Sequence, residues 1–248
     1  MYDSLAACYH LIFENWDASI ARQAAALGPL IENACGMRPA RILDAACGIG
    51  TQAIGLAQRG HNVTGSDLSA AAVARARVET AARNLAISLY TADMRDLSMV
   101  PGAPFDAVLI ADNALAHLPS EEDLLLTAKS AARKLRPGGI LLATARDYDT
   151  LARERPVFHG PAFFADGGYR RIVHQIWDWT GDRRYTMHLY ITRESASGWE
   201  CHHFTSAFHA VPRDMLNRAF ESAGFLNARW LEPARTGYYQ PIIAAIRS

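Results

Sequence analysis

Apolar positions in the first half of the chain fall into short runs separated by longer, small-residue stretches with helical spacing. Arg41-Ile-Leu-Asp-Ala45 is a short apolar run ending in small residues and predicts a strand. Thr51 to Arg59 is helical in composition and is stopped by Gly60. Asn62-Val-Thr-Gly-Ser-Asp67 predicts a second strand, and the alanine-rich segment from Ser69 to Asn84 a helix with Ser69 as N-cap. Ile87–Ala92, Phe105–Ala111 and Ile140–Ala145 predict three further strands. Between the last two, Ser120-Glu-Glu-Asp123 reads as a capping box opening a helix to about Leu135, and Arg136-Pro-Gly-Gly139 stops it and turns the chain. Strand–helix alternation at this spacing predicts a parallel sheet with helices on both faces.

From Leu151 the period changes. Ile172–Trp179, Tyr185–Ser195 and Trp199–Val211 are β-rich and joined by Thr-Gly-Asp-Arg (180–183) and Ser-Ala-Ser-Gly (195–198), which implies antiparallel hairpins. A helix from about Pro212 to Ala223 ends at Gly224, and strands near Phe225–Leu231 and Pro241–Arg247 bring the main sheet to seven. A helix from Asp17 to Ala34 precedes the first strand. The expected division is an N-terminal helical segment (1–38), an α/β core (39–150 and 212–248) and a β-rich cap over the substrate (151–211).

With 248 residues, half of them hydrophobic and a fifth charged, the chain buries a sizeable core and is not disordered. Its 25 basic and 25 acidic side chains cancel, which argues against nucleic acid and membrane surfaces as partners. No apolar run approaches the length of a membrane span. Four dispersed cysteines without a C-x-x-C pair, and no secretory leader, read as reduced thiols in a cytoplasmic protein. The nine histidines have no ligand spacing, so no metal site is expected.

The chemistry concentrates in Ile42-Leu-Asp-Ala-Ala-Cys-Gly-Ile-Gly-Thr51. Gly48 and Gly50, after a strand and before a helix, let the backbone approach a ligand at the sheet's carboxyl end. The third glycine of a dinucleotide fingerprint is missing. Asp44, at the strand's end, places a negative charge that suits a cationic group better than a pyrophosphate, which disfavours a nicotinamide cofactor. About twenty residues on, Asp67 ends the second strand, where a carboxylate accepts from ribose hydroxyls. Asp93 is placed to accept an adenine amine, and Met94 to pack on the ring. Cys47 is small enough to need no role beyond packing.

The ordered segments L-D-A-A-C-G-I-G, G-S-D-L, A-D-M-R-D-L, F-D-A-V-L-I-A-D-N and L-R-P-G-G resemble those of the class I S-adenosylmethionine-dependent methyltransferases, over roughly residues 41–145. That resemblance implies a Rossmann-like, mainly parallel seven-stranded sheet. It puts the cofactor's methionine end beside Ala46, Gly48 and Gly50, its ribose on Asp67 and Leu68, its adenine between Asp93 and Met94, and its sulfonium near Asn113. A narrower resemblance, carried by Tyr9-His-Leu-Ile-Phe-Glu-Asn-Trp16 leading to Arg22-Gln23, by Arg146-Asp-Tyr-Asp149 and by Gly237-Tyr-Tyr-Gln-Pro241, is to the glycine and sarcosine N-methyltransferases. It implies an N-terminal lid bringing Tyr9 and Trp16 to the cofactor. It also implies that Arg22 pairs with the cofactor carboxylate and Arg146 with a substrate carboxylate, the contact a guanidinium fork suits.

His117, four residues after Asn113, is expected as a base or positioning donor. Tyr148, Tyr238 and Tyr239 are expected as contacts, and Tyr148 joins His117 and Arg146 as a candidate catalytic residue. The insertion with Trp177, Trp179, His174 and His188 departs from that group and suits something larger and more aromatic than glycine. The expected activity is N-methylation of an amino-acid-like amine on a small molecule, and the chain is a candidate homo-oligomer. The alternatives are C- or O-methylation of an aromatic or indolic intermediate, and cofactor binding without transfer.

Overall fold

Strand β1 (Arg41–Asp44) lies inside the larger of two sheets in the computed structural model, which describes residues 2–248. Beside it on one flank are β2 (Asn62–Asp67) and β3 (Ser88–Thr91). On the other are β4 (Phe105–Ile110), β5 (Leu135–Thr144), β11 (Ile242–Arg247) and β10 (Phe225–Leu231). All pairs are parallel except those made by β11, which runs antiparallel to β5 and β10. The mainly parallel seven-stranded sheet is therefore as the motifs imply.

Helices cover both faces. Leu27 and Ile31 of α2 (Trp16–Cys35), Ala53 and Leu56 of α3 (Thr51–Gln58), and Val73 and Ala76 of α4 (Ala70–Ala82) pack on one face with Ile42, Leu109 and Leu142. Leu124 and Ala128 of α5 (Glu121–Lys134) and Leu216 and Phe220 of α7 (Arg213–Ser222) pack on the other with Leu43, Val108 and Leu141. Strands buried on both faces explain why β4 reads as a continuous apolar run rather than an alternation. Because α2 belongs to this core, only the short α1 (Tyr2–Leu5) and the 3₁₀ turn Tyr9–Ile12 lie ahead of it as a strap.

The second sheet is antiparallel: β6 (Phe158–Asp166), β7 (Tyr169–Trp179), β8 (Arg184–Ser195) and β9 (Gly198–His209). It follows α6 (Tyr148–Glu154), while α8 (Pro233–Thr236) precedes β11. Its inner face carries Val173, Trp177, Tyr185, Leu189 and Phe208 onto Leu5 of the strap and Tyr148.

Three local expectations are corrected. Strand β6 is additional: Gly160-Pro161 interrupts its pattern where the register slips between His159 and Ala162, and proline inside a run argues against a strand. Strand β5 starts at Leu135, directly after α5, so Pro137-Gly-Gly139 sits in an irregular strand opening rather than a turn. Ser120 caps α5 by accepting from the Asp123 N–H at 3.1 Å, but Asp123 accepts from Arg95 at Oδ1 (2.9 Å) and from the Ser120 hydroxyl at Oδ2 (3.1 Å) instead of from the Ser120 N–H, leaving half a capping box. Among the described residues, no helix is long and apolar enough to cross a membrane.

Gly55 shows how closely α2 and α3 approach: a Cβ there meets the Ile20 carbonyl oxygen and the Ala24 Cβ at 2.7 Å each. Neither neighbour is a flexible side-chain end. Gly55→Ala is expected to cost about 1–3 kcal/mol, read as a lowered urea midpoint with an unchanged slope.

Candidate active site

Two adjoining cavities open beyond the carboxyl ends of the central strands, where ligands bind in open α/β sheets. The smaller, about 350 Å³, is walled by Ala46 and Gly48 after β1, Asp67 and Leu68 at the end of β2, and Asp93 and Met94 after β3. The larger, about 530 Å³, lies between Arg22 and Gln23 of α2, Arg146, the 237–240 loop, and the inner face of the second sheet. Tyr2, Tyr9 and Asp112 border both.

Gly48 adopts φ +53°, and no atom lies within 4 Å of the place a Cβ would occupy. The backbone there is bare and open, as a closely bound ligand requires. The Gly48 N–H donates to Asp67 Oδ2 at 2.8 Å and the Ser69 N–H to Oδ1 at 2.9 Å. These bonds orient the carboxylate and leave each oxygen further acceptor capacity. Burial raises the Asp67 pKa, against the pull of the same two N–H groups.

Asp44 behaves differently. It is fully buried, and burial foremost, then the Asp112 charge, push its pKa up to about 8. Asp44 is therefore mostly protonated near neutral pH and does not supply the negative field its position suggests.

Beyond β4 two consecutive residues take the left-handed conformation, Asp112 at φ +55° and Asn113 at φ +66°. Aspartate and asparagine are the non-glycine residues that visit it most readily. Asn113 Oδ1 accepts the Arg146 N–H at 3.1 Å, and its amide donates to the Tyr148 hydroxyl at 2.8 Å. Asp112 Oδ1 accepts from the hydroxyls of Tyr238 and Tyr239, each at 2.6 Å. Burial first, then the Asp112 charge, holds the Tyr238 phenol well above its ordinary pKa, so it remains a donor.

The Arg146 guanidinium lies 4.6 Å from the centre of the Trp177 ring, with Nη2 3.5 Å from Gln175 Oε1. Gln175 Oε1 is fixed by the Trp177 Nε1–H at 3.0 Å. Arg146 Nη1 is buried and has no partner. Neither nearby acid serves it: Asp147 caps Thr150, and Asp149 faces Arg213 at 3.8 Å. A half-buried guanidinium with an unpartnered Nη1 and no acid beside it, on a cavity wall, is a site for an anionic group.

Residues 42–139 match the family model described as a methyltransferase domain. Those residues form a methyltransferase domain, and the core around it is similar to that of the class I S-adenosylmethionine-dependent enzymes. Glycine N-methyltransferase of Rattus norvegicus is 33% identical over 136 residues, 50% of this chain and 45% of the relative. Among solved structures, CalS10, an amino pentose methyltransferase from Micromonospora echinaspora with S-adenosylmethionine bound, superposes with a TM-score of 0.77 at 25% identity, covering 93% of this chain and 92% of that one. The sugar N-methyltransferase KedS8 from Streptoalloteichus sp. ATCC 53650 gives the same TM-score at 20% identity, over 96% and 92% of the two chains. The chain spans about half the length of the curated relatives it matches.

In this methyltransferase core, Tyr9, Ala46, Gly48, Asp67, Leu68, Asp93 and Met94 meet at the smaller cavity, and Arg22, Asn113 and Arg146 at the larger. Asp93 is already held bidentately by Arg95, at 2.6–3.1 Å, so any adenine contact shares an occupied carboxylate. Trp16 reaches neither cavity. Its indole is buried and donates to Thr51 Oγ1 at 2.9 Å, tying α2 to α3. Gly50 is absent from the walls as well; at φ +98° it is the N-cap of α3, where a Cβ meets Ile54 at 3.2 Å.

Tyr148 lies behind the wall, bonded to Asn113 and 3.0 Å from the Tyr185 hydroxyl, so it positions Asn113 rather than touching a ligand. His117 borders the smaller cavity, but burial depresses its pKa to about 4, against the pull of the Ala207 backbone. Its Nε2 lies 2.7 Å from the Tyr2 hydroxyl. It is a neutral anchor for the strap and a poor base. Tyr2, Asp112 and Gln175 went unrecognised in the sequence; only the Asp-Asn pair directly after a strand signalled a left-handed turn.

The sign of the His117 contribution follows from its lowered folded pKa. The unfolded chain binds the extra proton between about pH 6.5 and 4, so stability is lost as pH falls through that window. Urea denaturation at pH 7 and pH 5 should show a larger loss for wild type than for His117→Gln; equal losses would reject a buried neutral imidazole.

Proposed function

We propose that the protein transfers the methyl group of S-adenosylmethionine to an amine on a small molecule larger than glycine. The observation that carries this reading is the pair of cavities sharing Tyr2, Tyr9 and Asp112. One suits an adenosine, with a bare glycine and an oriented carboxylate; the other suits an acceptor with an anionic group. When bound, the cofactor supplies an electrophilic methyl group on a positively charged sulfur.

This chain's own residues then align and exclude. Asp67 receives the ribose hydroxyls, Leu68 and Met94 flank the adenine, and Arg22 meets the carboxylate end. Asn113 fixes the wall between donor and acceptor, and Arg146 with Gln175 holds the acceptor's anion. Tyr2 and Tyr9 cover the junction from above. Displacement at a methyl carbon asks chiefly for alignment, with a lone pair held about 3 Å away. An amine entering in its neutral form brings that lone pair itself, which agrees with a His117 unsuited to act as base.

The acceptor's body rests on Val173, Met187, Leu189 and Phe208, an apolar wall that glycine would leave unfilled. The similarity to an amino pentose methyltransferase also favours an amine on a larger frame.

The test is incubation with isotopically labelled S-adenosylmethionine and a panel of glycine, sarcosine, larger amino acids, amino sugars, and indolic and phenolic metabolites, read by mass. Labelled N-methyl product from a larger amine is expected. Methylation only at oxygen or carbon would replace the amine assignment, and tight cofactor binding without any transfer would replace the enzyme by a binding protein. For a carboxylate-bearing acceptor, Arg146→Ala should raise KM tenfold or more with a smaller effect on kcat, a loss of roughly 1.4 kcal/mol or more. An unchanged KM would reject its role.

A further inference from the structure

Gln175 and Trp177 stand two residues apart on β7, so both side chains point to the inner face of the second sheet. Trp177 is fully buried, its ring lying between His159 at 4.4 Å and Tyr185 at 4.5 Å. It borders neither cavity, whereas Gln175 is half-buried on the wall of the larger one. The stack fixes the direction of the indole N–H, which donates to Gln175 Oε1 at 3.0 Å.

We propose that Trp177 is a positioning residue for the acceptor. It fixes Gln175 with the amide nitrogen free to donate into the cavity, and this wall thereby selects a carboxylate over the matching carboxamide. This rests on the reading of the larger cavity as the acceptor's.

The two ends of a glutamine amide are alike in shape and opposite in hydrogen-bonding sense, so which end faces a ligand decides what it recognises. At Gln175 the choice is dictated. An indole N–H and a guanidinium are donors only, and both converge on one end of the amide, Trp177 Nε1 at 3.0 Å and Arg146 Nη2 at 3.5 Å. That end must be the oxygen. The two N–H groups of Nε2 then meet no acceptor among the described residues, and Arg146 Nη1 has none either. This stretch of wall offers donors only. A carboxylate, which only accepts, satisfies both groups. A carboxamide of the same shape sets its own NH2 against one of them and leaves donors unpaired, the mismatch that polar sites reject most strongly. Arg146 at 3.5 Å holds the amide oxygen loosely, so without the indole N–H the amide is free to turn over and the selection weakens.

Calorimetric titration of the protein saturated with S-adenosylhomocysteine, using 3-phenylpropionate and 3-phenylpropionamide as probes, tests this without catalysis. The probes share a shape and differ only in the head group. Wild type is expected to bind the carboxylate at least tenfold tighter. Trp177→Phe keeps an aromatic ring in the stack and beneath Arg146 while removing the N–H, and Gln175→Met keeps the length while removing the amide. Each should reduce the carboxylate preference at least threefold and leave S-adenosylhomocysteine affinity within twofold of wild type. Because Trp177 acts through Gln175, the double variant should lose no more preference than Gln175→Met alone. A full preference in Trp177→Phe, equal weakening of both probes by it, or losses that multiply in the double variant would overturn the positioning role. Wild type binding neither probe would overturn the reading of the larger cavity as a site for an anionic acceptor, so the two failures are distinguishable.

Discussion

The left-handed turn at Asp112-Asn113 is the constraint on which the site depends. Two non-glycine residues in this conformation cost about 1–2 kcal/mol each, and the surrounding structure must hold them there. It does so from two directions. The start of the segment after β5 grips Asn113 through the Arg146 N–H and the Tyr148 hydroxyl, and the 237–240 loop grips Asp112 through two phenols. The turn consequently faces both cavities at once. With Tyr2 and Tyr9 of the strap, Asp112 borders both the nucleoside-sized cavity and the one beneath the second sheet, and the turn is the α/β core's share of that common wall.

The strap and the second sheet close around that turn by polar contacts of their own. Asp3 accepts from Ser69 Oγ at 2.5 Å and from the Ala71 N–H at 3.3 Å, at the N-terminus of α4, where a negative charge is favoured. Tyr2 is held by His117. From the second sheet, Arg171 donates to the Phe13 carbonyl at 2.8 Å. The cover over the cavities is thus tied to both halves of the molecule. The two groups best placed to move a proton are held neutral, Asp44 largely so and His117 fully, while Arg146 is a half-buried cation without an acid partner. Such a site suits alignment of a donor and an acceptor better than proton shuttling.

What the sequence discloses follows from the range of the forces involved. The parallel strands, the Gly48 loop and Asp67 are set by local patterns: apolar runs, a backbone that must be bare, and a fixed spacing between strand ends. Strand β6 escapes notice because Gly160-Pro161 breaks its alternation, although pairing with β7 restores it. Trp16 and Tyr148 look like ligand contacts because a large side chain near a motif suits either role. Only packing shows that one ties α2 to α3 and the other buttresses Asn113. His117 fails as a base through burial, a tertiary property absent from its neighbours in sequence. Tyr2 and Gln175 carry no local signal at all; they reach the site because the strap folds back and β7 crosses over it.

A structure of the protein with S-adenosylhomocysteine bound tests the central claim most directly. The account predicts the ribose on Asp67, the adenine between Leu68 and Met94, and the amino-acid end crossing Asp112 toward Arg22, with the cavity beneath Val173 and Met187 left open for an acceptor. A nucleoside seated under the second sheet, or an amino-acid end turned away from Asp112, would contradict it.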